Sequence, residues 1–185
     1  ELNAKKDNPY SAAYYTIRAY RENEIDVWFV LHDHPGPLAN WAEKVTEDSE
    51  VAIWGPRSTF TPPEGTDNFL FIADETAQPA VLASIENLEN KFNFKCLFET
   101  QDKSSQFECH DPNNCIEWIY RNNEPAGKGS ELSKRIERLE MKTDNLYVFG
   151  AGEARQISSI RKTLKKKFDL KADQMSFTGY WKRTD

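Results

Sequence analysis

Two short segments of this 185-residue chain place small residues and carboxylates directly after apolar runs. The first, Asp74-Glu75-Thr76, follows the run 68–73, and the second, Gly150-Ala151-Gly152-Glu153, follows the run 145–149. Small residues let a ligand approach the backbone, and the amino terminus of a following helix favours a phosphate. Taken alone, the first segment fits a plain helix capped by Thr76 or Asp74 as well as it fits a phosphate-binding site. The second lacks the third glycine of G-x-G-x-x-G, so it favours a nucleotide only slightly over a structural turn.

The elements that would position these segments alternate between strands and helices. Residue periodicity predicts strands over 68–73, 92–98, 115–120, 145–149 and 175–180, and helices over 76–90, 130–140 and 154–168. This alternation predicts a mostly parallel sheet with helices on both faces, in which ligands bind beyond the carboxyl ends of the strands.

The first sixty residues have a different pattern. They predict two strands joined as a hairpin (14–20 and 24–31), a short helix over 38–45 and a further strand over 50–54. These strands are too few to close a barrel by themselves. The turn-rich segment 61–65 marks the boundary, and we predict domains at 1–62 and 63–185.

Composition excludes several classes of protein. The net charge of −6 argues against general nucleic-acid binding, and no apolar run approaches the roughly 20 residues of a membrane span. Three sparse cysteines are typical of a reduced, cytoplasmic protein. Cys109, His110 and Cys115 lie close together in sequence but lack a CxxC pair and a fourth ligand, so we predict no metal site.

Seven short motifs follow one another along nearly the whole chain: Tyr15-Thr16-Ile17-Arg18, His32 to Pro37 with Trp41-Ala42, Gly55-Pro56-Arg57 with Phe60, Asp74-Glu75-Thr76-Ala77 with Pro79-Ala80, Glu117-Trp118-Ile119-Tyr120-Arg121, Gly152-Glu153-Ala154, and Gly179-Tyr180-Trp181. In this order they resemble the motifs of the siderophore-interacting protein family, a branch of the ferredoxin-reductase-like flavoproteins. The agreement in order is far more specific than any single motif.

The resemblance implies a fold and a reaction. The fold is the C-terminal strands of a flavin-binding β-barrel, without the front of the barrel, followed by an α/β nucleotide-binding domain. In the reaction, NADPH or NADH gives a hydride to FAD, and single electrons then reduce Fe(III) held by a siderophore, which releases Fe(II). The implied protein is an oxidoreductase of iron acquisition, and we expect it to be a monomer.

The resemblance also implies roles for individual residues. Tyr15 would pack on the isoalloxazine ring and Thr16 would lie near its reactive edge, while Trp181 would lie near the exit of the sheet toward the flavin. Independently of the resemblance, the basic residues Lys182 and Arg183 beside Trp181 would attract an anionic ferric siderophore or the 2′-phosphate of NADPH. The implied FAD phosphate pocket comprises His32, Gly36, Pro37 and Trp41, together with Arg18. Either Arg18 or Arg57 could replace the arginine that the family usually carries at the position of Ala13. The implied nicotinamide-nucleotide site comprises Asp74, Glu75, Thr76, Gly152 and Glu153.

Alternatives remain at this point. One is a different flavin or ferredoxin-type reductase on the same scaffold. Another is a non-catalytic ferric-siderophore binding protein, because Ala13, Asp33 and Ala39 replace the arginine, glycine and small hydroxyl residue usual in the family. The nucleotide is also open: Glu99 at a strand end favours NADH, whereas the following Lys103 favours NADPH, to which the family inclines. The basic stretch 161–167 is either a solvated helix face or an attractor of anions.

Overall fold

A computed structural model describes residues 12–31, 36–58, 60–88, 92–107 and 115–184 of the chain. The chain divides into two compact units, Glu1–Ser58 and Thr59–Asp185, called here the N-terminal and C-terminal units. The predicted fold class, a portion of a β-barrel domain followed by an α/β domain with a parallel sheet, is confirmed.

The N-terminal unit contains an antiparallel hairpin and a short helix. Strand β1 (Ile17–Arg21) pairs with β2 (Glu24–Val27), and helix α1 spans Pro37–Ala42. Arg21 donates two hydrogen bonds to the Asp26 carboxylate diagonally across the hairpin, both at 2.6 Å. The pair is exposed, so it contributes little to the stability of the hairpin.

The strand predicted over 50–54 is wrong. In the described part of this unit these residues form no strand, and Val51, Ile53 and Trp54 are 54%, 65% and 94% exposed. Their alternation satisfies the sequence pattern of a strand, but a strand also needs a hydrogen-bonded neighbour. Among the described residues, β1 and β2 pair only with each other.

The C-terminal unit is built on a five-stranded parallel sheet in the order β5-β4-β3-β6-β7. Its strands are β3 (Asn68–Ala73), β4 (Asn93–Thr100), β5 (Ile116–Tyr120), β6 (Leu146–Glu153) and β7 (Met175–Trp181). Its α-helices are α2 (Gln78–Glu86), α3 (Glu131–Glu137) and α4 (Ala154–Phe168). Short 3-10 helices span Lys103–Ser105 and Ala172–Gln174.

Alternate residues of the central strand β3 enter two different cores. Leu70 and Ile72 pack with Leu132 of α3 and Leu164 of α4 on one face of the sheet. Phe69, Phe71 and Ala73 pack with α2 on the other face. Successive side chains of a strand point to opposite faces, so a continuous apolar run is buried on both sides. Helices therefore cover both faces, as predicted.

Two of the element boundaries that differ from the sequence prediction have a clear physical reason. Helix α2 begins at Gln78 rather than at 76, because Asp74 accepts a hydrogen bond from the Thr76 backbone and holds the intervening residues in a turn. Strand β6 continues to Glu153 rather than ending at 149. Its glycines do not form a turn after the strand, since Gly150 still pairs with β3 and Gly152 with β7.

Candidate functional site at the carboxyl edge of the sheet

The strand order places a topological switch point between β3 and β6. From β3 the chain moves outward through β4 and β5 on one side, and then returns to form β6 and β7 on the other side. In open α/β sheets, ligands bind in the crevice beyond the carboxyl ends of the two strands at such a point. Asp74 follows β3 and Glu153 ends β6, so the two predicted nucleotide-binding segments flank this crevice.

The Asp74 carboxylate connects the ends of three strands. Its Oδ1 accepts hydrogen bonds from the backbone N and the Oγ1 of Thr76, at 2.9 and 2.5 Å. Its Oδ2 accepts from the backbone N of Glu153 at 3.0 Å and from Nε1 of Trp181 at 2.8 Å. Burial raises the pKa of this carboxyl, while the hydrogen bonds from Thr76 and Trp181 oppose the rise.

Gly152 lets this carboxylate sit against β6. A Cβ at this position would lie 2.7 Å from Oδ2 of Asp74, and the glycine has a φ of 150°. Any side chain here would therefore displace the carboxylate and strain the backbone. The glycine is needed for the internal contact with Asp74, a function that its motif alone did not indicate.

A second network joins the ends of β3, β4 and β5. Arg121 donates two hydrogen bonds to Glu75, at 2.8 and 2.6 Å, and Glu75 also accepts from the backbone N of Gln101. The guanidinium is 5% exposed and lies 3.7 Å from Glu99, which is fully buried. Gln156 of α4 donates to the other oxygen of Glu99 at 3.0 Å.

Glu99 is the most perturbed carboxyl group of this network. Burial raises its pKa from 4.5 to about 7, against the lowering effect of the hydrogen bond from Gln156 and the charge of Arg121. Its Oε2 is buried and has no hydrogen-bond partner, although the Arg121 cation is close. The group is therefore poised to change its charge near neutral pH.

Glu153 ends β6 and caps α4. One carboxylate oxygen accepts from the backbone N of Gln156 at 2.8 Å, and the other accepts from the backbone N of Arg183 at 3.2 Å. The Arg183 guanidinium donates to the carbonyl oxygen of Gly127 at 3.1 Å, in the loop before α3. The backbone and the side chain of Arg183 thus fix the segment after β7, while the side chain of Lys182, between Trp181 and Arg183, is exposed.

In the N-terminal unit, the predicted flavin residues lie on and beside the hairpin. Tyr15 is 41% exposed, and the centroid of its ring lies 4.4 Å from that of Phe29. The Arg18 guanidinium lies over the Trp28 ring at 5.4 Å, and Thr16 is half-buried.

The predicted FAD phosphate pocket is described in part. Gly36 precedes α1 and Pro37 is the first residue of the helix. Trp41 lies on the same helix and is half-buried. His32 lies outside the described residues.

Two family models together match most of the chain. The model described as siderophore-interacting protein matches residues 66–184, and the model described as siderophore-interacting FAD-binding domain matches residues 2–60. The chain belongs to the siderophore-interacting protein family. The predicted FAD-binding domain is confirmed by the second of these models.

Relatives of the family are similar along nearly the whole chain. The ferric vibriobactin reductase ViuB of Vibrio cholerae is 29% identical over 174 residues, which cover 91% of this chain and 64% of ViuB. The NADPH-dependent ferric-chelate reductase of Escherichia coli is 22% identical over 180 residues, covering 94% and 66% of the two chains. The crystal structure of a siderophore utilization protein from T. fusca superposes with a TM-score of 0.80 at 31% identity, over 91% of this chain and 65% of that one. The chain thus spans about two-thirds of the length of these relatives.

The carboxyl edge fits a nicotinamide nucleotide. The crevice at the switch point between β3 and β6 is where such a ligand binds in open α/β sheets. The start of α2 adds no free donor, because the backbone N–H groups of Ala77 and Gln78 bond to the carbonyl oxygen of Asp74 and Pro79 has none. Three nearby carboxylates that could repel a phosphate are occupied by protein donors, since Asp74 accepts four hydrogen bonds, Glu75 pairs with Arg121, and Glu153 caps α4. The N-terminal unit fits FAD through the Tyr15 ring, which Phe29 supports and which leaves part of its surface for a planar ligand.

The structure brings together residues that sequence reasoning considered separately, and it adds new ones. Arg121 belongs to one of the seven sequence motifs and the sequence predicts Glu99 only as a ribose ligand, yet both belong to one largely buried network with Glu75. Gln156 and the loop at Gly127 and Gly129 were missed. Their spacing carries no signal, because they meet Glu99 and Glu153 only through the tertiary fold.

The basic stretch 161–167 lies away from this edge. Helix α4 begins at the carboxyl end of β6 and runs back toward the opposite edge of the sheet. Arg161 is seven residues into the helix, or about 10 Å along its axis. These cations form an exposed helix face near the carboxyl end of α4, where positive charge interacts favourably with the helix dipole. Among the described residues, no helix is long and apolar enough to cross a membrane.

Proposed function

We propose that this chain belongs to a flavin-dependent reductase that uses NAD(P)H to reduce the Fe(III) of a ferric siderophore and so release Fe(II). The observation that carries the proposal is the pair of family matches, one to a siderophore-interacting FAD-binding domain and one to a siderophore-interacting protein, in a single chain. The name of ViuB, ferric vibriobactin reductase, supports the reaction class. The residues at the carboxyl edge of the sheet are compatible with the nucleotide that this reaction needs.

The reaction balances as one NADPH and two Fe(III) giving NADP⁺, one proton and two Fe(II). FAD, when bound, supplies the conversion of a two-electron hydride into single electrons. The protein binds and orients the reactants: Tyr15, supported by Phe29, offers an aromatic surface in the N-terminal unit, and the crevice at the switch point between β3 and β6 offers a place for the nucleotide in the C-terminal unit.

We favour NADPH over NADH as the electron donor. A carboxylate at the end of the second strand would select NADH by binding the ribose hydroxyls. Glu99 occupies that place but is fully buried and bonded to Gln156, so it is turned away from a ligand. The exposed Lys103 follows and can attract a 2′-phosphate. The E. coli relative, whose name includes NADPH dependence, supports the same choice.

The ferric siderophore is proposed to approach near the end of β7. Lys182 is exposed there, beside Trp181, and a cation at this place attracts an anionic iron complex. A monomeric protein in the cytoplasm is the corresponding proposal for assembly and location.

The test is a titration of the purified chain with FAD, followed by visible absorption and flavin fluorescence, with the Tyr15→Ala variant beside it. Saturable binding with a perturbed flavin spectrum, weakened about tenfold in Y15A, is expected from the loss of one stacking partner. Binding of a ferric siderophore without FAD binding or NADPH oxidation would instead support the non-catalytic alternative.

A further inference from the structure

The four donors around Asp74 leave its carboxylate no capacity for a ligand. An ionised carboxylate has about four lone-pair sites. Here two are used by Thr76, one by the backbone N of Glu153 and one by Nε1 of Trp181. The side chain is also buried, at 4% exposure. A direct contact between this carboxylate and a bound nucleotide would therefore require one of these bonds to break.

The bond from Trp181 fixes the position of a large aromatic ring. Trp181 ends β7, where its backbone pairs with Glu153 at the end of β6. Its Nε1 reaches Asp74, which follows β3 on the far side of β6. The indole must therefore cross the carboxyl end of β6, at the switch point between β3 and β6. Gly152 permits this arrangement, because a Cβ there would push against Asp74.

The backbone of this segment is held independently of that bond. Strand pairing with β6 fixes Trp181, and the Glu153 carboxylate accepts from the backbone N of Arg183. Loss of the contact with Asp74 would therefore free the indole ring and leave the strand in place. The contact orients a side chain at the crevice, and it is not the main support of β7.

We propose that Asp74 is a positioning residue that locks the Trp181 indole across the switch point, where the ring forms the wall against which the nicotinamide end of the nucleotide packs. The inference rests on the proposed function for the identity of the nucleotide. It changes the expected role of Asp74 from a ligand of the cofactor to a support for the residue that touches it.

The first test needs no cofactor and uses the indole N–H signals in a proton–nitrogen NMR spectrum. The chain has five tryptophans, and the signal missing in Trp181→Phe identifies Trp181. In the wild type this N–H should exchange slowly with solvent. In Asp74→Leu, whose side chain has the same branched shape but no acceptor, it should exchange about tenfold faster or more. Equal exchange in D74L and the wild type, with both folded by circular dichroism, overturns the positioning role.

The second test titrates the wild type with NADP⁺. The Trp181 indole signal should shift with saturation, while that of Trp118, which is partly buried against Phe98, should not. In FAD-loaded protein, D74L and W181F should slow flavin reduction by NADPH about tenfold, with the NADPH Kd changed less than about threefold. The matched variant Trp118→Phe should keep the wild-type rate.

The outcomes distinguish failure of the positioning role of Asp74 from failure of the proposed function. If NADP⁺ binds and shifts other signals but leaves Trp181 unchanged, the wall is elsewhere and the inference is wrong. If D74L raises the NADPH Kd by the same factor that it slows reduction, Asp74 acts on binding and the positioning role is also wrong. If neither NADP⁺ nor NAD⁺ binds, the proposed function fails and the role of the wall falls with it, while the exchange rates still decide whether Asp74 holds the indole.

Discussion

Replacing Glu99 by glutamine should change how the stability of the C-terminal unit depends on pH. Glu99 is fully buried, and burial raises its pKa from 4.5 to about 7. The folded state then holds this proton more tightly than the unfolded state does. Its stabilising contribution is complete below about pH 4.5 and is lost as pH rises through about 7. The difference between the two pKa values corresponds to about 3 kcal/mol.

The E99Q variant keeps the size of the side chain and an amide oxygen that can accept from Gln156, but it cannot titrate. The free energy of unfolding of the wild type should therefore fall by about 2 to 3 kcal/mol relative to E99Q between about pH 5 and pH 8. Urea unfolding followed by circular dichroism at about 222 nm measures this difference, because α2, α3 and α4 all belong to the C-terminal unit.

Glu117→Gln is the matched control. Glu117 lies on β5, and although burial raises its pKa, the hydrogen bonds from Arg135 and Lys95 lower it below its usual value. Its stabilising contribution is lost only as pH falls below that range, so the difference between the wild type and E117Q should stay flat between about pH 5 and pH 8. Parallel profiles for the wild type and E99Q would show that Glu99 is ionised throughout this range, which would contradict its raised pKa.

Three further variants test the packing around the site and in the core. Arg121→Met leaves the half-buried Glu75 and the fully buried Glu99 without their cation, and it should lower the urea-derived free energy of unfolding by about 3–5 kcal/mol. A loss below about 1 kcal/mol would contradict a buried ion pair. Gly152→Ala places a methyl group against Asp74 at a positive φ and should cost about 1–3 kcal/mol in thermal unfolding, and an unchanged Tm would show that the carboxylate lies elsewhere. Leu164→Ala empties a fully buried position and should cost about 2–5 kcal/mol by urea unfolding, whereas a neutral effect would place α4 outside the core.

The sequence predicted the fold of the C-terminal unit well because its signals are local. The apolar run 68–73 and the amphipathic spacing of 154–168 determine β3 and α4 by themselves, and their predicted bounds match the structure. The strand predicted over 50–54 failed because strand formation depends on a partner, which alternation in one segment cannot supply.

The meeting of Asp74 and Gly152 at one edge of the sheet was predictable from the sequence, but their contacts were not. Parallel strands bring Asp74 and Gly152 to one edge, and that much follows from strand order. The direction of the Asp74 carboxylate does not follow, because its donors come from Glu153 and Trp181, which are 79 and 107 residues away in sequence. The same applies to Arg121, whose pairing with Glu75 spans 46 residues.

The proposed reaction is tested most directly by measuring Fe(III) reduction by the FAD-loaded chain with NADPH in the absence of oxygen. Ferric complexes of dihydroxybenzoate and of acetohydroxamate serve as catecholate and hydroxamate probes, and an Fe(II)-specific chelator reports the product. The expected result is steady formation of two Fe(II) for each NADPH oxidised at catalytic protein concentration, and none when FAD is omitted. A chain that binds FAD and a ferric complex but oxidises no NADPH would contradict it.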